Sequence, residues 1–228
     1  MIKSHSAWAL LIACGKTEQI SPDVDTAYLQ MGDQPILSHS LIAFERCPEI
    51  EGIVVIAAKD RVDNVVGMAR MYGTPKLKKI AVGAVQKTTS IRAGLKALED
   101  VGATLVVIHE ASQPCVSPYT ISETIKNAKR YGVSVAADRI ETPVAVVPKG
   151  LKATQCIDDN SLWALHMPVA VKLELLQEEL DKKGGSGKAD DASFMERLCK
   201  TAHMVQIEQF AMRIRTLSDI QIIAASMK

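Results

Sequence analysis

The sequence lacks the features that mark several large classes of protein. Its 228 residues carry a formal net charge of only +1. The chain therefore has no large positive electrostatic potential that would favour binding to nucleic acid or to an anionic lipid surface. No apolar run approaches the roughly 20 residues that a membrane-spanning helix needs. We therefore expect neither nucleic acid nor a membrane as a partner, and we interpret residues 7–13 as a buried strand rather than a secretion signal.

Cysteine and histidine are sparse and follow no metal-binding spacing. The chain has five of each, and no two cysteines form a C-x-x-C pair. An odd number of scattered cysteines is typical of reduced thiols, and it predicts a cytoplasmic protein without a disulfide framework. The spacing also predicts no structural zinc.

What the chain does have is a regular alternation of short apolar runs and amphipathic segments. Hydrophobic residues make up 47% of it, enough for a full core. Buried strands are predicted at residues 8–13, 52–58, 78–82, 104–109 and 133–137, and helices at 35–46, 60–72, 88–101 and 117–131. This alternation predicts an α/β fold with right-handed crossovers and a mostly parallel sheet flanked by helices.

The alternation breaks after residue 137. Two short extended runs, ETPVAVVP and KATQCI, meet at residues 148–150 and predict a hairpin that projects from the body. Helices are expected at 168–183 and 190–202, and a strand at 204–210. Thr216 and Asp219 have the spacing of a capping box that opens the last helix.

The first strand runs into Gly-Lys-Thr at residues 15–17, which resembles the end of a phosphate-binding loop. A P-loop would require its first glycine at position 10, where Leu10 lies within the strand. The dinucleotide fingerprint is also missing, because Gly15 and Gly32 have no glycine between them. What remains is a long loop from Gly15 to about Ala27, and long loops at the carboxyl end of a parallel strand are where such folds bind ligands.

Several segments, taken together and in order, resemble one family. They are ACG at 13–15, YLQMGDQPILSHSLIAFE at 28–45, VGAVQKTTSIRAGL at 82–95, VIHEASQPCVSP at 107–118, SLWALHMP at 161–168 and ADDAS at 189–193. From about Trp8 to Ile223, the chain resembles the methylerythritol-phosphate cytidylyltransferases of isoprenoid synthesis, within the sugar-nucleotidyltransferase group.

The resemblance implies one Rossmann-like nucleotidyltransferase domain over residues 1–228, with a β-hairpin arm at 138–157 that forms a homodimer. The implied reaction moves a cytidylyl group from CTP, or a related nucleotide, to a phosphorylated small molecule such as a sugar-alcohol phosphate, and releases pyrophosphate. The implied cofactor is Mg²⁺.

The resemblance also implies the site residues. The catalytic group is Lys16, Lys87 and Arg213; the nucleotide-binding group is Ala13, Cys14, Gly15, Gly83, Ser90 and Glu110. Thr142 corresponds to a residue that meets the acceptor phosphate, and Glu110 replaces the aspartate that binds the metal.

The chain departs from the family where the chemistry needs positive charge. Thr26 takes the place of a lysine, and Gln113 and Asp159 take the places of arginines. Two classes of function therefore stay open: a diverged transferase, and a nucleotide-binding or regulatory relative that has lost catalysis. Simpler roles stay open too, with Lys16, Lys87 and Arg213 as surface charges, Ser90 as a helix cap and His109 as a buried structural histidine.

Overall fold

The computed structural model describes residues 5–17, 20–158, 161–182, 188–207 and 211–226. The strands are β1 (Ala7–Ile12), β2 (Lys16–Thr17), β3 (Ser21–Asp25), β4 (Gln30–Met31), β5 (Gln34–Pro35), β6 (Ile50–Ala57), β7 (Leu77–Val82), β8 (Leu105–Glu110), β9 (Val133–Arg139), β10 (Val144–Val146), β11 (Gln155–Ile157), β12 (Trp163–Lys172) and β13 (His203–Gln206). The helices are α1 (Ile36–Arg46), α2 (Val62–Met71), α3 (Lys87–Lys96), α4 (Pro118–Tyr131), α5 (Leu173–Asp181), α6 (Lys188–Cys199) and α7 (Leu217–Ser226).

Seven strands form one sheet in the order β13-β9-β12-β8-β1-β6-β7. β1 is parallel to β6 and β8, β6 is parallel to β7, and β9 is parallel to β13. Only β12 runs against its neighbours, β8 and β9. The predicted mostly parallel α/β sheet is confirmed, and β8 lies at its centre.

The alternating side chains of β1 show how the sheet divides the core. Ala7, Ala9 and Leu11 face the layer that contains α1 and α4. Trp8, Leu10 and Ile12 face the layer that contains α3, α5 and α6. Both layers cover the sheet, so a strand buried on both faces appears in the sequence as a continuous apolar run.

The longest strand of the sheet was predicted incorrectly. The sequence indicates a helix from residue 168, but β12 continues to Lys172 and α5 begins only at Leu173. Val169 and Val171 face one layer and Ala170 the other. Because both faces are buried, the segment has no polar alternation, and an apolar run that leads straight into a helix shows no boundary.

Small hairpins account for the irregular segments. β10 and β11 pair antiparallel and confirm the hairpin predicted after residue 137. β2 and β3 pair within the long loop that follows Gly15. The predicted strand at 204–210 is observed as β13 and ends at Gln206; residues 208–210 lie outside the described residues.

Two predicted helix starts are confirmed by their hydrogen bonds. The Ser117 hydroxyl accepts a hydrogen bond from the Thr120 N–H at 3.0 Å, directly before Pro118. At α7, the Thr216 hydroxyl accepts from the Asp219 N–H, and the Asp219 carboxylate accepts from the Thr216 N–H. None of the helices in the described ranges is long and apolar enough to cross a bilayer.

A matched pair of glycine substitutions tests this packing. A Cβ on Gly52, which pairs with Trp8 across the sheet, would lie 2.3 Å from the Trp8 ring, whereas a Cβ on Gly67 in α2 would meet nothing within 4 Å. We expect Gly52→Ala to lower the free energy of unfolding by about 1–3 kcal/mol through overpacking. Gly67→Ala should raise it by up to about 1 kcal/mol, because glycine disfavours a helix interior. Denaturant unfolding measures both, and equal effects would contradict the Trp8 contact.

Candidate active site

The site is built around Glu110, the last residue of the central strand. Its side chain is only 9% exposed, and the strand register places it beside Ile12, the last residue of β1. The following residues, Ala13 to Gly15, leave β1 at the same edge of the sheet. Parallel strands that end side by side form the crevice in which open α/β sheets bind ligands.

Two cations from different parts of the chain converge on this carboxylate. The Lys87 Nζ lies 2.6 Å from one Glu110 oxygen, and an Arg213 guanidinium nitrogen lies 2.8 Å from the other. A buried carboxylate needs countercharge to remain ionised. Burial of Glu110 favours its neutral form, but Lys87 and Arg213 outweigh this effect and hold the pKa of Glu110 below its ordinary value.

Lys87 is the first residue of α3, and the loop before it is tightly fixed. The Ser90 hydroxyl accepts a hydrogen bond from the Ala84 N–H at 2.9 Å and donates to the Ala84 carbonyl at 3.0 Å. The Gly83 N–H donates to the Ala57 carbonyl. The Ser90 side chain therefore connects the loop to the helix through these hydrogen bonds. The N-cap of α3 is Gln86 and not Ser90.

Arg213 lies in the segment that precedes α7. The neighbouring Ile214 is 1% exposed and packs with Ile220 and Ile223 of α7. Its N–H donates to the Ser112 carbonyl at 2.8 Å, in the loop after β8. This anchor brings Arg213 from late in the chain to the end of the central strand.

Three predicted nucleotide-binding residues meet at the next corner of the site. The Cys14 Sγ lies 3.5 Å from the Ser90 Oγ, and a Cβ on Gly83 would lie 2.3 Å from the same sulfur. Position 83 therefore has no room for a residue larger than glycine unless the Cys14 side chain moves. Ala13 is buried, and the Gly15 N–H donates to the Asp25 carboxylate at 3.1 Å.

His109 is structural, as the simpler interpretation of the sequence has it. It is fully buried, its Nε2 lies 3.1 Å from the Ser40 Oγ, and its ring packs at a tilt against Phe44. Burial lowers the pKa of His109 to about 4. The ring is therefore neutral at physiological pH and faces the core.

A cavity of about 420 Å³ opens beside the two cations. Lys87, Gln113 and Arg213 line it at the carboxyl end of β8, and residues of β9, β12 and α6 line the rest. The Gln113 side-chain oxygen accepts a hydrogen bond from the Met167 N–H at 2.9 Å. Where the family resemblance implies an arginine, this chain therefore has a neutral amide that holds the backbone of β12.

The other predicted site residues are less closely tied to this cavity. The backbone of Lys16 pairs with Asp25 in the β2–β3 hairpin, but the side chain of Lys16 lies outside the described part of the structure. Thr26 is buried in a short 3₁₀ turn. Thr142 is exposed before β10 and is not among the described residues that line the cavity. Asp159 lies outside the described residues.

The chain also matches a known family along nearly its whole length. The model for IspD, 2-C-methyl-D-erythritol 4-phosphate cytidylyltransferase, matches residues 7–228. The chain belongs to the IspD family. It is 28% identical to the 2-C-methyl-D-erythritol 4-phosphate cytidylyltransferase of Geobacillus kaustophilus over 217 residues, which is 93% of this chain and 92% of the relative. Identity to the protein of that name from Halalkalibacterium halodurans is also 28%, over 210 residues and 91% of each chain.

Solved structures share the fold. A 4-diphosphocytidyl-2C-methyl-D-erythritol synthase from Anaerococcus prevotii superposes with a TM-score of 0.82 at 20% identity, covering 98% of this chain and 96% of its own. The IspD of Francisella tularensis superposes with a TM-score of 0.74 at 19% identity, covering 97% and 99%. At these identities, the likeness concerns the architecture.

Part of the cavity lining was not predicted from the sequence. Val169 lines it from a strand where the sequence predicted a helix, and Leu165 and Met167, which precede that predicted helix, line it from the same strand. Met195 and Cys199 of α6 line it from the other side. Their spacing of four residues was an available signal, because residues i and i+4 share one face of a helix.

Proposed function

We propose that this chain transfers a cytidylyl group from CTP to a small phosphate monoester and releases pyrophosphate. Methylerythritol phosphate, the acceptor in the family's name, is the first candidate. The observation that carries the proposal is the convergence of Lys87 and Arg213 on Glu110 beside a cavity. The same cations that balance Glu110 can turn to the phosphates of a bound substrate.

The chemistry needs positive charge more than it needs an acid or a base. An oxygen of the acceptor phosphate attacks the α-phosphorus of CTP, and the bond to the bridging oxygen of the β-phosphate breaks. Pyrophosphate leaves with that electron pair, and no proton has to move. Negative charge grows on the phosphate oxygens, where the Lys87 ammonium and the Arg213 guanidinium stabilise it. The N-terminus of α3, which begins at Lys87, favours the same charge.

The donor set fits a magnesium ion that is held mostly by substrate. Among the described residues, no group of three or more His, Cys, Asp or Glu side chains forms a metal cage. Mg²⁺ commonly takes one or two carboxylates together with substrate phosphates and water. Glu110 is the ionised carboxylate available at this edge, and Mg²⁺ bound there would add charge neutralisation at the phosphates.

A second candidate function is nucleotide binding without catalysis. Gln113 favours it, because its side chain is buried, neutral and bonded to the Met167 backbone where the resemblance implies a cation. Thr26 favours it as well, since a hydroxyl cannot neutralise a phosphate oxygen. Losing one preorganised stabilising group typically costs about 10²–10³ in rate, although such losses need not add.

We also propose that the β10–β11 hairpin is a dimerisation arm inserted in the single domain. Two strands alone are marginally stable in water, and this hairpin exposes Val146, Val147 and Leu151. A second copy that covers these side chains would form a twofold dimer. Thr142, at the base of the arm, would then contact the acceptor phosphate in the partner's cavity.

The proposed setting is the cytoplasm. Five scattered cysteines without a C-x-x-C pair are typical of reduced thiols.

The transfer reaction is tested by pyrophosphate release from CTP, Mg²⁺ and methylerythritol phosphate. We expect a turnover below about 1 s⁻¹, at or under the low end of the ordinary enzyme range, because positions 26 and 113 supply no positive charge. Lys87→Met should reduce release to the level of the protein-free reaction and weaken CTP binding in calorimetry. Lys96→Met, on the exposed end of the same helix, is the matched control and should change neither value.

The possible outcomes separate the two candidates. Release that equals the protein-free rate in the unmodified protein, with CTP still bound, would establish the non-catalytic function. Release that persists in Lys87→Met would show that the chemistry does not use this site.

Sedimentation equilibrium at micromolar concentration tests the arm. We expect twice the chain mass for the unmodified protein and a single chain mass for Val147→Glu, because a carboxylate at the interface would have to be desolvated. Val85→Glu, at a fully exposed valine outside the hairpin, should remain dimeric. A monomeric unmodified protein would overturn the proposal.

A further inference from the structure

A histidine that no spacing in the sequence indicated lines the cavity from β12. Residues 169–172 of β12 pair with the central strand β8. His166 comes before them, at the edge of the sheet where β8 ends, and it pairs with Ala136 of β9. His166 is one of the residues that line the cavity beside Lys87 and Arg213.

Asp138 of β9 holds one side of the His166 ring. The His166 Nε2 lies 3.1 Å from a carboxylate oxygen of Asp138, and the side chain of His166 is 16% exposed. A carboxylate accepts hydrogen bonds and has no proton to donate, so the proton of this bond is on Nε2. The contact therefore fixes the position of the ring and, in a neutral ring, the tautomer.

The other ring nitrogen of His166, Nδ1, is the atom that a ligand can reach. It has no hydrogen-bond partner in the described part of the chain, and it is not among the buried polar atoms that lack one, so solvent reaches it. Nδ1 accepts a hydrogen bond when the ring is neutral and donates one when the ring is protonated. A ligand hydroxyl is matched to both forms, whereas an ionised phosphate oxygen is matched only to the protonated form.

The other polar groups of the lining also suit hydroxyls. The Gln113 side-chain oxygen accepts from the Met167 N–H, which leaves the amide N–H groups of Gln113 as donors to a ligand. Glu196 of α6 contributes a carboxylate, which accepts from hydroxyls and repels a phosphate. The phosphate of a ligand is therefore favoured beside Lys87 and Arg213, and its hydroxyls are favoured along the rest of the polar lining.

We propose that His166 determines specificity for the acceptor by hydrogen bonding through Nδ1 to a hydroxyl of a polyol phosphate, whose phosphate lies at Lys87 and Arg213. Asp138 is the positioning residue that holds the ring for this contact. The inference rests on the proposed function and names a residue that selects its acceptor.

Two substitutions separate the two nitrogens of the ring. A glutamine amide can take the place of Nε2 and keep the contact with Asp138, but it leaves no polar group at the place of Nδ1. An asparagine amide can take the place of Nδ1, but it is too short to reach Asp138. A ligand contact and a purely structural contact therefore predict opposite orders of affinity for His166→Gln and His166→Asn.

Calorimetry on the full chain would measure these affinities, with Mg²⁺ and a CTP analogue whose α,β-bridging oxygen is a methylene, so that no transfer occurs. The two ligands are methylerythritol phosphate and 3-methylbutyl phosphate, which has the same carbon skeleton without the hydroxyls. We expect His166→Gln to weaken methylerythritol phosphate about tenfold through the lost hydrogen bond, and His166→Asn to weaken it less. Neither variant should change the affinity for 3-methylbutyl phosphate by more than about twofold, because that ligand has no hydroxyl for Nδ1.

Two further variants serve as controls. Asp138→Asn should keep most of the affinity for methylerythritol phosphate, because its amide oxygen still accepts from Nε2, whereas Asp138→Ala should weaken it. In the His166→Gln background Asp138→Ala should have no further effect on this affinity. His5→Gln makes the same change at an exposed histidine outside the cavity lining and should alter neither ligand.

The outcomes bear separately on the residue and on the reaction. The role of His166 is overturned if His166→Gln binds methylerythritol phosphate as tightly as the unmodified protein does, or no more weakly than His166→Asn does. Equal losses for the two ligands, or an unmodified protein that binds neither, would overturn it as well. A loss in His166→Gln that is confined to methylerythritol phosphate supports the assignment even if pyrophosphate is never released, and then only the proposed reaction fails.

Discussion

The ionised carboxylate of Glu110, buried at the carboxyl end of the central strand, is the interaction on which the site depends. It draws the start of α3 and the segment before α7 to one point, because Lys87 and Arg213 both contact it. Without the cations the buried charge would be unfavourable, and without the carboxylate the cations would repel one another. In the proposed reaction, these three groups would hold a phosphate site in place before substrate binds, which would remove part of the reorganisation that transfer requires.

This chain has fewer basic residues around the proposed site than the family resemblance implies. The family resemblance implies basic residues at positions 26 and 113, where this chain has Thr26 and Gln113. The Gln113 side-chain oxygen accepts a hydrogen bond from the Met167 N–H, and the Met167 side chain lines the cavity. The uncharged side chain at position 113 therefore has a structural contact with β12 where the resemblance implies a positive charge.

Local sequence patterns predicted much of the fold but only part of the candidate site. β1, β6 and β8 were predictable because burial on both faces leaves uninterrupted apolar runs. β12 was not, since its apolar run leads straight into α5 without a polar boundary. Glu110 was predictable from its place at a strand end. The meeting of Lys87 with Arg213 depends on tertiary packing around Ile214, which no local pattern encodes.

The pKa of Glu110 is the most direct test of this account. Carboxyl carbon NMR of the labelled protein would follow its titration in the unmodified chain and in Lys87→Met. Because the cations outweigh burial, the account predicts a pKa below the ordinary value of 4.5 in the unmodified chain and a clear rise when Lys87 loses its charge. A pKa at or above 4.5 in the unmodified protein, unchanged in Lys87→Met, would contradict it.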